Sequence, residues 1–382
     1  MNPRRIFALL GRRDEPTDAV EEYCAHLGEA LAARGFQLEI RRVPWELHGW
    51  PRSLQALKLQ AAGWRDTWVL VQYTALAWSE RGFPLRFLQA LRILAAAHAR
   101  IAVVFHDVEP FSGHRLIDRI RHLAQLRTMH RSLDLADLAI FTVLPEKISW
   151  IPAHGGRLAK LAFLPVGPNL PVSAAGDPSL ASANLETGGK ERTTPSVAVF
   201  SITGGEAGAR ETREILSAVR FASEKLGKLR LSVFGRHAEL REAALREGLR
   251  DLPVELSVEG LLEGTQIVER LSACDALLFV RGPISSRRSS AIAGIACGLP
   301  VIAYSGSETA PPVTEAGVVL IPFDLDESSR QQQLNAALLR VLSDASCRAS
   351  LAERSRLAAA HHFSWDSIAS RLAALLENAA PS

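Results

Sequence analysis

The stretch Ala276-Leu-Leu-Phe-Val-Arg-Gly-Pro-Ile-Ser-Ser-Arg-Arg-Ser-Ser-Ala-Ile-Ala-Gly-Ile-Ala-Cys-Gly-Leu-Pro-Val-Ile-Ala-Tyr304 reads as strand, polar loop, short helix and strand. Ser285, Ser286, Ser289 and Ser290 fall where the helix begins, offering caps and hydroxyl donors. Exposed first-turn amides and the helix dipole favour an anion there. Arg287 and Arg288 add forked donors suited to a diphosphate. Read by itself, the same loop is also an ordinary capped helix with two solvated arginines. Thr203-Gly204-Gly205 makes a second turn at which a backbone can approach a ligand closely, or simply a structural turn.

His106 ends an apolar strand and is followed by Asp107. A lone histidine at a strand end is usually a satisfied structural group, but the carboxyl edge of a parallel sheet is where ligands sit. Gly11-Arg12-Arg13 fills the first strand-helix loop, and its arginines suit an anionic acceptor. Gly11 stands alone, and no GxGxxG follows the first strand of either half, so a dinucleotide-binding reading fails. Trp45, Trp50, Trp64, Trp68 and Trp78 share one stretch with several arginines, a composition that fits an acceptor groove or peripheral membrane contact, and more simply a core.

These residues need elements to hold them. Strand-length apolar runs at Arg5 to Leu10, Gln37 to Val43, Thr67 to Gln72 and Arg100 to His106 alternate with helical patterns, the first from about Thr17 to Arg34. Such alternation predicts a parallel sheet with covering helices. Gly35 is placed to cap the first helix. Residues 171–195 are rich in Ser, Gly, Ala, Pro and Thr without apolar period, as in a linker. The alternation then resumes from Ser196, so a second doubly wound domain follows.

The 382 residues exceed one ordinary core and favour two domains. Apolar residues make up 47% and charged residues 22%, which excludes disorder and a disulfide scaffold. Four cysteines lie far apart with no CxxC and no histidine at ligand spacing, so neither a zinc site nor a disulfide framework is expected, and a cytoplasmic setting is. Residues 1–170 carry 22 Lys and Arg against 16 Asp and Glu, while the remainder carries 22 against 25. A basic first half suits an anionic lipid surface or acceptor, or merely solvates helix faces. No basic helix interleaved with aromatics suggests nucleic acid.

The run Ile292-Ala-Gly-Ile-Ala-Cys-Gly-Leu-Pro-Val-Ile302 resembles the helix and following Gly-x-Pro-Val strand of the retaining family 4 glycosyltransferases. Leu231-Ser-Val-Phe-Gly235, the passage from Val254 through Cys274-Asp275-Ala276 to Val280, and Phe363-Ser-Trp-Asp-Ser-Ile-Ala369 are also similar to that family. Leu31-Ala-Ala-Arg-Gly-Phe36, Val104-Phe-His-Asp107 and Leu164-Pro-Val-Gly167 extend the likeness more loosely across the first half. The resemblance implies an α/β GT-B fold, with two Rossmann-like doubly wound domains facing across a cleft. The expected divisions are an acceptor-side domain over 1–170, the linker over 171–195, a nucleotide-sugar domain over 196–363, and a C-terminal helix over 364–382 that returns to the first domain and makes closure a hinge motion.

By resemblance, a nucleotide diphosphate sugar is co-substrate and a hexose passes with retention to a glycan or lipid-linked acceptor, without metal or other cofactor. The family's donor sites would map onto Thr203, Gly204, Gly205, Arg210, Arg213, Gly260, Ser285, Ser286 and Ser289, with Arg287 and Arg288 on the diphosphate and His106 closing over the sugar. The chain departs from the pattern at the family's two glutamates, eight positions apart, whose places are taken by Ser285 and Ala293. Alanine cannot accept from a ribose hydroxyl, and serine brings no carboxylate charge to the reacting sugar. A non-catalytic relative that binds a nucleotide sugar or a partner enzyme is therefore the competing reading. Nucleotide-sugar epimerisation is a third, although the acid and base it needs are not evident.

Overall fold

The computed structural model describes residues 3–151, 160–171 and 194–379. The chain divides into one unit of Met1–Pro165 with Ile368–Ser382, and another of Val166–Ser367. The expected linker lies almost wholly outside the described residues.

In the first unit, β1 (Arg4–Leu10), α1 (Ala19–Ala32), β2 (Phe36–Arg42), α2 (Trp45–Ala61), β3 (Trp68–Tyr73), α3 (Phe87–Ala96), β4 (Arg100–Phe105), α4 (Leu116–Leu135), β5 (Leu138–Phe141) and β6 (Leu161–Phe163) alternate. The strands form one sheet in the order β2-β1-β3-β4-β5-β6, parallel throughout. The central β3, Trp-Val-Leu-Val-Gln-Tyr, is buried along its whole length, as a strand covered on both faces must be. Edge strand β2 carries Glu39, Arg41 and Arg42 and is only partly buried, which guards an open edge. Asp18 caps α1 by accepting from the amides of Val20 and Glu21, and Gly35 takes the positive φ of +75° that turns the chain into β2.

Stacked rings fill the interior, Phe7 on Trp64 at 4.4 Å and Phe105 on Phe141 at 4.7 Å. The tryptophan stretch belongs to this core. Trp64, Trp68 and Trp78 are buried, and Trp45 and Trp50 stack on each other at its margin, 5.1 Å apart. The cheapest place for an indole is a core in which its N–H finds an acceptor: Trp78 Nε1 donates to Gln72 O and Trp45 Nε1 to Ala77 O, both at 2.8 Å.

The second unit contains β7 (Ser196–Phe200), α5 (Gly205–Leu226), β8 (Leu229–Phe234), α6 (Glu242–Leu249), β9 (Val254–Val258), α7 (Gly264–Ser272), β10 (Ala276–Pro283), α8 (Ser289–Ala296), β11 (Val301–Ser305), β12 (Val318–Pro322), α9 (Glu327–Ser343) and α10 (Ala345–Ala358). Its sheet is also parallel, in the order β12-β11-β10-β7-β8-β9. The order reverses between β7 and β10, which is where a doubly wound sheet opens a crevice at its carboxyl edge. The register of β10 against β11 shifts between Phe279 and Pro283, with Gly282 at φ +90°. That irregularity redirects the strand end carrying Arg281 and leads into the polar loop.

The last helix, α11 (Trp365–Asn378), starts in the second unit and counts with the first from Ile368. There Trp68 Nε1 donates to Leu376 O at 3.2 Å, Arg4 pairs with Glu377 at 2.8 Å, and Arg100 reaches Ala379 O at 2.6 Å.

Candidate functional site

At the β7/β10 switch of the second unit, the loop 284–288 places its two arginines in different surroundings. Arg287 is bidentate on Glu308, Nε to Oε2 at 2.7 Å and the second nitrogen to Oε1 at 2.9 Å, and Ser285 Oγ donates to the same Oε2 at 3.1 Å. Glu308 is held below the usual carboxylate range: burial alone would raise it, but the hydrogen bond and charge of Arg287 prevail, helped by Arg288. Arg287 is thus already neutralised.

Arg288 is not. Its Nε is buried without a hydrogen-bond partner among the described residues. Burial, and next the positive charge of Arg287, pull its pKa down to about 10, so it remains charged at neutral pH. Arg281 is lowered in the same way, by burial first and by Arg236, against the opposing field of Glu211. Its Nε is likewise buried without a partner among the described residues, and its only hydrogen bond to one of them, Ser290 Oγ at 3.5 Å, is long. A buried guanidinium without a bonded carboxylate is costly unless an anion arrives to meet it.

The serines do not cap α8 as the sequence suggested. Arg288 itself occupies the N-cap position with no side-chain cap bond, and Ser285 is engaged by Glu308. Ala291 N already donates to Arg288 O at 2.9 Å, so the donor capacity at this helix start rests with the amides of Ser289 and Ser290. Ser286 is buried, its carbonyl accepting from Val166 N at 3.0 Å, and Ser289 is half-buried at the start of α8. Ala293 is fully buried in the core face of the helix.

Across the switch, Thr203-Gly204-Gly205 forms the turn into α5. Thr203 N donates to Glu211 Oε2 at 2.7 Å, and Gly205 O accepts from Arg241 at 2.6 Å. Gly205 has φ +63°, and a Cβ on Gly204 would lie 3.5 Å from His237 Nε2. Arg210 lies 3.7 Å from buried Glu214, and Arg213 is exposed on the same helix. Neither joins the Arg281/Arg288 group. Gly260, whose carbonyl accepts from Gly235 N at 2.8 Å, packs against Glu239, which a Cβ would meet at 2.6 Å.

Sequence reading missed Glu308, Glu211, Arg241 and Arg281. The first three lie outside any recognisable spacing. Arg281 had one signal, a charge near the end of an otherwise apolar strand.

The first unit has its own carboxyl-edge cavity of about 250 Å³ between β1 and β3, with Gly11, Arg12, Asp14, Asp18, Gln72 and Thr74 among its walls. Gly11 is required here, since a Cβ would stand 2.2 Å from Ala77 O, the acceptor of Arg12 N. His106 lies behind this wall. Gln72 donates its amide to Leu70 O at 3.1 Å, which turns Oε1 toward His106 Nε2 at 2.8 Å and selects the Nε2–H tautomer. The ring packs edge-on against Tyr23 at 5.2 Å, and burial, against a weak pull from Asp18, lowers its pKa to about 4. His106 is therefore neutral at pH 7. Asp107 accepts from Ala75 N at 2.7 Å and fixes the loop after β3.

Among the described residues no group of three or more His, Cys, Asp or Glu could hold a metal ion. No helix of the described residues is long and apolar enough to cross a membrane.

Two parallel six-stranded sheets with alternating helices define the GT-B arrangement. The chain is similar in structure to the Anabaena protein HepE, solved with UDP and glucose, at 15% identity and a TM-score of 0.62 over 98% of this chain and 100% of that one. It is similar to a glycosyltransferase from Rickettsia africae at 12% identity and a TM-score of 0.65 over 99% of each chain. A third likeness is to WaaG, a glycosyltransferase involved in lipopolysaccharide biosynthesis, at 16% identity and a TM-score of 0.61 over 97% and 99% of the two chains. No protein-family model matches the sequence, and no curated protein matches it.

Proposed function

We propose that the chain is a glycosyltransferase that moves a hexose from a nucleotide diphosphate sugar to a hydroxyl of a glycan or lipid-linked acceptor, with anomeric retention. The observation that carries this reading is Arg288, charged and half-buried, with its Nε buried and unbonded among the described residues, beside an uncapped helix start at a sheet switch point. A diphosphate supplies the missing anion, and UDP is the nucleotide bound by the structurally similar HepE.

In this reading Arg288 and Arg281 meet the diphosphate together with the first amides of α8. As the glycosidic bond to the sugar breaks, negative charge builds on the departing nucleotide diphosphate. Guanidinium groups already in place lower that cost without reorganising. No metal or other cofactor is invoked, because fixed cations of the chain carry the charge. Gly204 and Gly205 give the backbone room for a phosphate, Arg241 holds their turn from behind, and Gly260 lies on the side of the base. Arg287 acts through Glu308, fixing the loop rather than touching phosphate. Carboxylate, amide and hydroxyl groups of the first unit's cavity suit a hydroxyl-rich acceptor, and neutral His106 orients Gln72 in its wall.

A second reading, a nucleotide-sugar-binding relative without transfer, draws on Ser285 and Ala293, neither of which supplies a carboxylate. Calorimetry of UDP, GDP and ADP tests the donor site, and release of labelled hexose onto an acceptor tests transfer. Binding without transfer or donor turnover would select the second reading. Absence of any nucleotide binding would overturn both.

A further inference from the structure

Glu211 is a buried carboxylate that its surroundings do not neutralise. It lies on α5 at 1% exposure, where Thr203 N donates to its Oε2 at 2.7 Å. With the described residues it forms no ion pair and no other side-chain hydrogen bond. A glutamine would hold the Thr203 amide as well, because its side-chain carbonyl accepts in the same way. A buried charge with a single amide donor is costly. The turn therefore accounts for the acceptor but not for the charge.

That charge bears on two cations. Burial lowers the pKa of Arg281, at the end of β10, and of Arg288, at the N-cap of α8, and Glu211 opposes the lowering at both. Neither arginine is bonded to it. The bond of Arg281 to a described residue goes to Ser290 Oγ, and Arg288 Nε has none. The interaction is thus through space. Two positive groups and one negative group, brought together by three elements, set the potential at the switch point, while Arg287 and Glu308, paired at 2.7 Å, largely cancel each other. An anion drawn in by the arginines is pushed back by the glutamate, in proportion to the anion's own charge.

In the donor reading two ligands of unlike charge use this site in turn. A nucleotide diphosphate sugar carries about two negative charges, and the free nucleoside diphosphate carries about three above pH 7, because only its terminal phosphate has a second ionisation, near pH 6. Guanidiniums acting alone would hold the departing nucleotide more tightly than the incoming donor. A fixed negative charge behind them works against the more highly charged of the two.

We propose that Glu211 sets the charge of the anion site: without touching the ligand, it disfavours a nucleoside diphosphate relative to its sugar ester and so speeds departure of the spent nucleotide. The inference rests on the reading of Arg281 and Arg288 as the diphosphate site.

Calorimetry of UDP and UDP-glucose on the full chain, on Glu211→Gln and on Arg288→Ala tests it. Glu211→Gln keeps the acceptor for Thr203 N and removes the charge. It should tighten binding by about threefold per unit of ligand charge, hence ~30-fold for UDP and ~10-fold for UDP-glucose. A purely structural role would weaken both ligands alike or leave both unchanged, and either result overturns the proposal. The unmodified chain gives a second measurement that does not depend on how the variant folds. UDP should bind it no more tightly than UDP-glucose, and UDP tighter by about tenfold or more would also overturn the proposal. If UDP binds and Arg288→Ala weakens it, an indifferent Glu211→Gln removes the role of Glu211 and leaves the donor site in place. If UDP does not bind, or binds Arg288→Ala as well as the unmodified chain, the donor site itself falls and this inference with it.

Discussion

At the scale of residues, Arg287 and Arg288 are neighbours in sequence and opposites in circumstance. Arg288 has an unbonded buried nitrogen, whereas Arg287 is spent on Glu308. Charge-assisted hydrogen bonds to phosphate contribute about 1.5–3 kcal/mol each, so Arg288→Ala should weaken UDP binding by ~10- to 100-fold in calorimetry. Arg287→Ala should affect affinity less and stability more, costing about 3 kcal/mol in urea unfolding, because it strands the half-buried Glu308 carboxylate. Equal losses of affinity would mean that both arginines touch phosphate. His106 yields a pH dependence. Its folded pKa of about 4 lies below the ordinary 6.5, so the unfolded chain takes the proton first as pH falls. Its contribution is fully present above pH 6.5 and declines through about pH 4, at up to ~1.4 kcal/mol per pH unit. His106→Gln should flatten that part of the stability curve. The basic loop was legible in the sequence from helix-start chemistry, but its partners were not: Glu308 is 21 positions from Arg287, and nothing local predicts that they meet.

At the scale of elements, the turn from β7 into α5 depends on a glycine that the motif reading passed over. A Cβ on Gly208 would stand 1.8 Å from Thr203 O, a backbone atom with no rotamer to change. Gly208→Ala should therefore cost about 1–3 kcal/mol or more and, by moving the Thr203-Gly204-Gly205 turn, weaken UDP binding as well. Unchanged affinity in a destabilised variant would separate this turn from the nucleotide. Strands were the more readable elements, because buried parallel strands such as β3 and β10 appear as unbroken apolar runs. The 20-residue α4 was not, since Leu116, Ile117, Ile120 and Leu123 face outward while Gln125, Thr128 and Ser132 are buried beside Met129 and Leu133, which blurs the period a helix ordinarily leaves.

At the scale of the molecule, two motifs nearly 200 positions apart prove to be one contact. Trp365 is buried with Nε1 donating to Leu170 O at 3.1 Å, and a Cβ on Gly167 would meet its ring at 2.5 Å. Both belong to the second unit, next to its two chain crossings at Pro165/Val166 and Ser367/Ile368. Sequence could show a Leu-Pro-Val-Gly and a Phe-Ser-Trp, but not that the glycine exists to seat the indole. Each unit has a separate core, one around Phe105, Phe141 and Trp78, the other around Val233, Leu278 and Ile302. Scanning calorimetry should consequently resolve two transitions. Trp365→Ala removes a fully buried ring from the second core's unit and should lower one transition, by about 3–5 kcal/mol. UDP at about 100 times its Kd should raise that same transition, by about 2.7 kcal/mol, and leave the other in place. The tryptophan substitution thus labels the unit and the ligand reports its site. If UDP raised only the transition that Trp365→Ala leaves alone, the nucleotide would belong to the cavity beside Gln72, and Arg288 would need another anion.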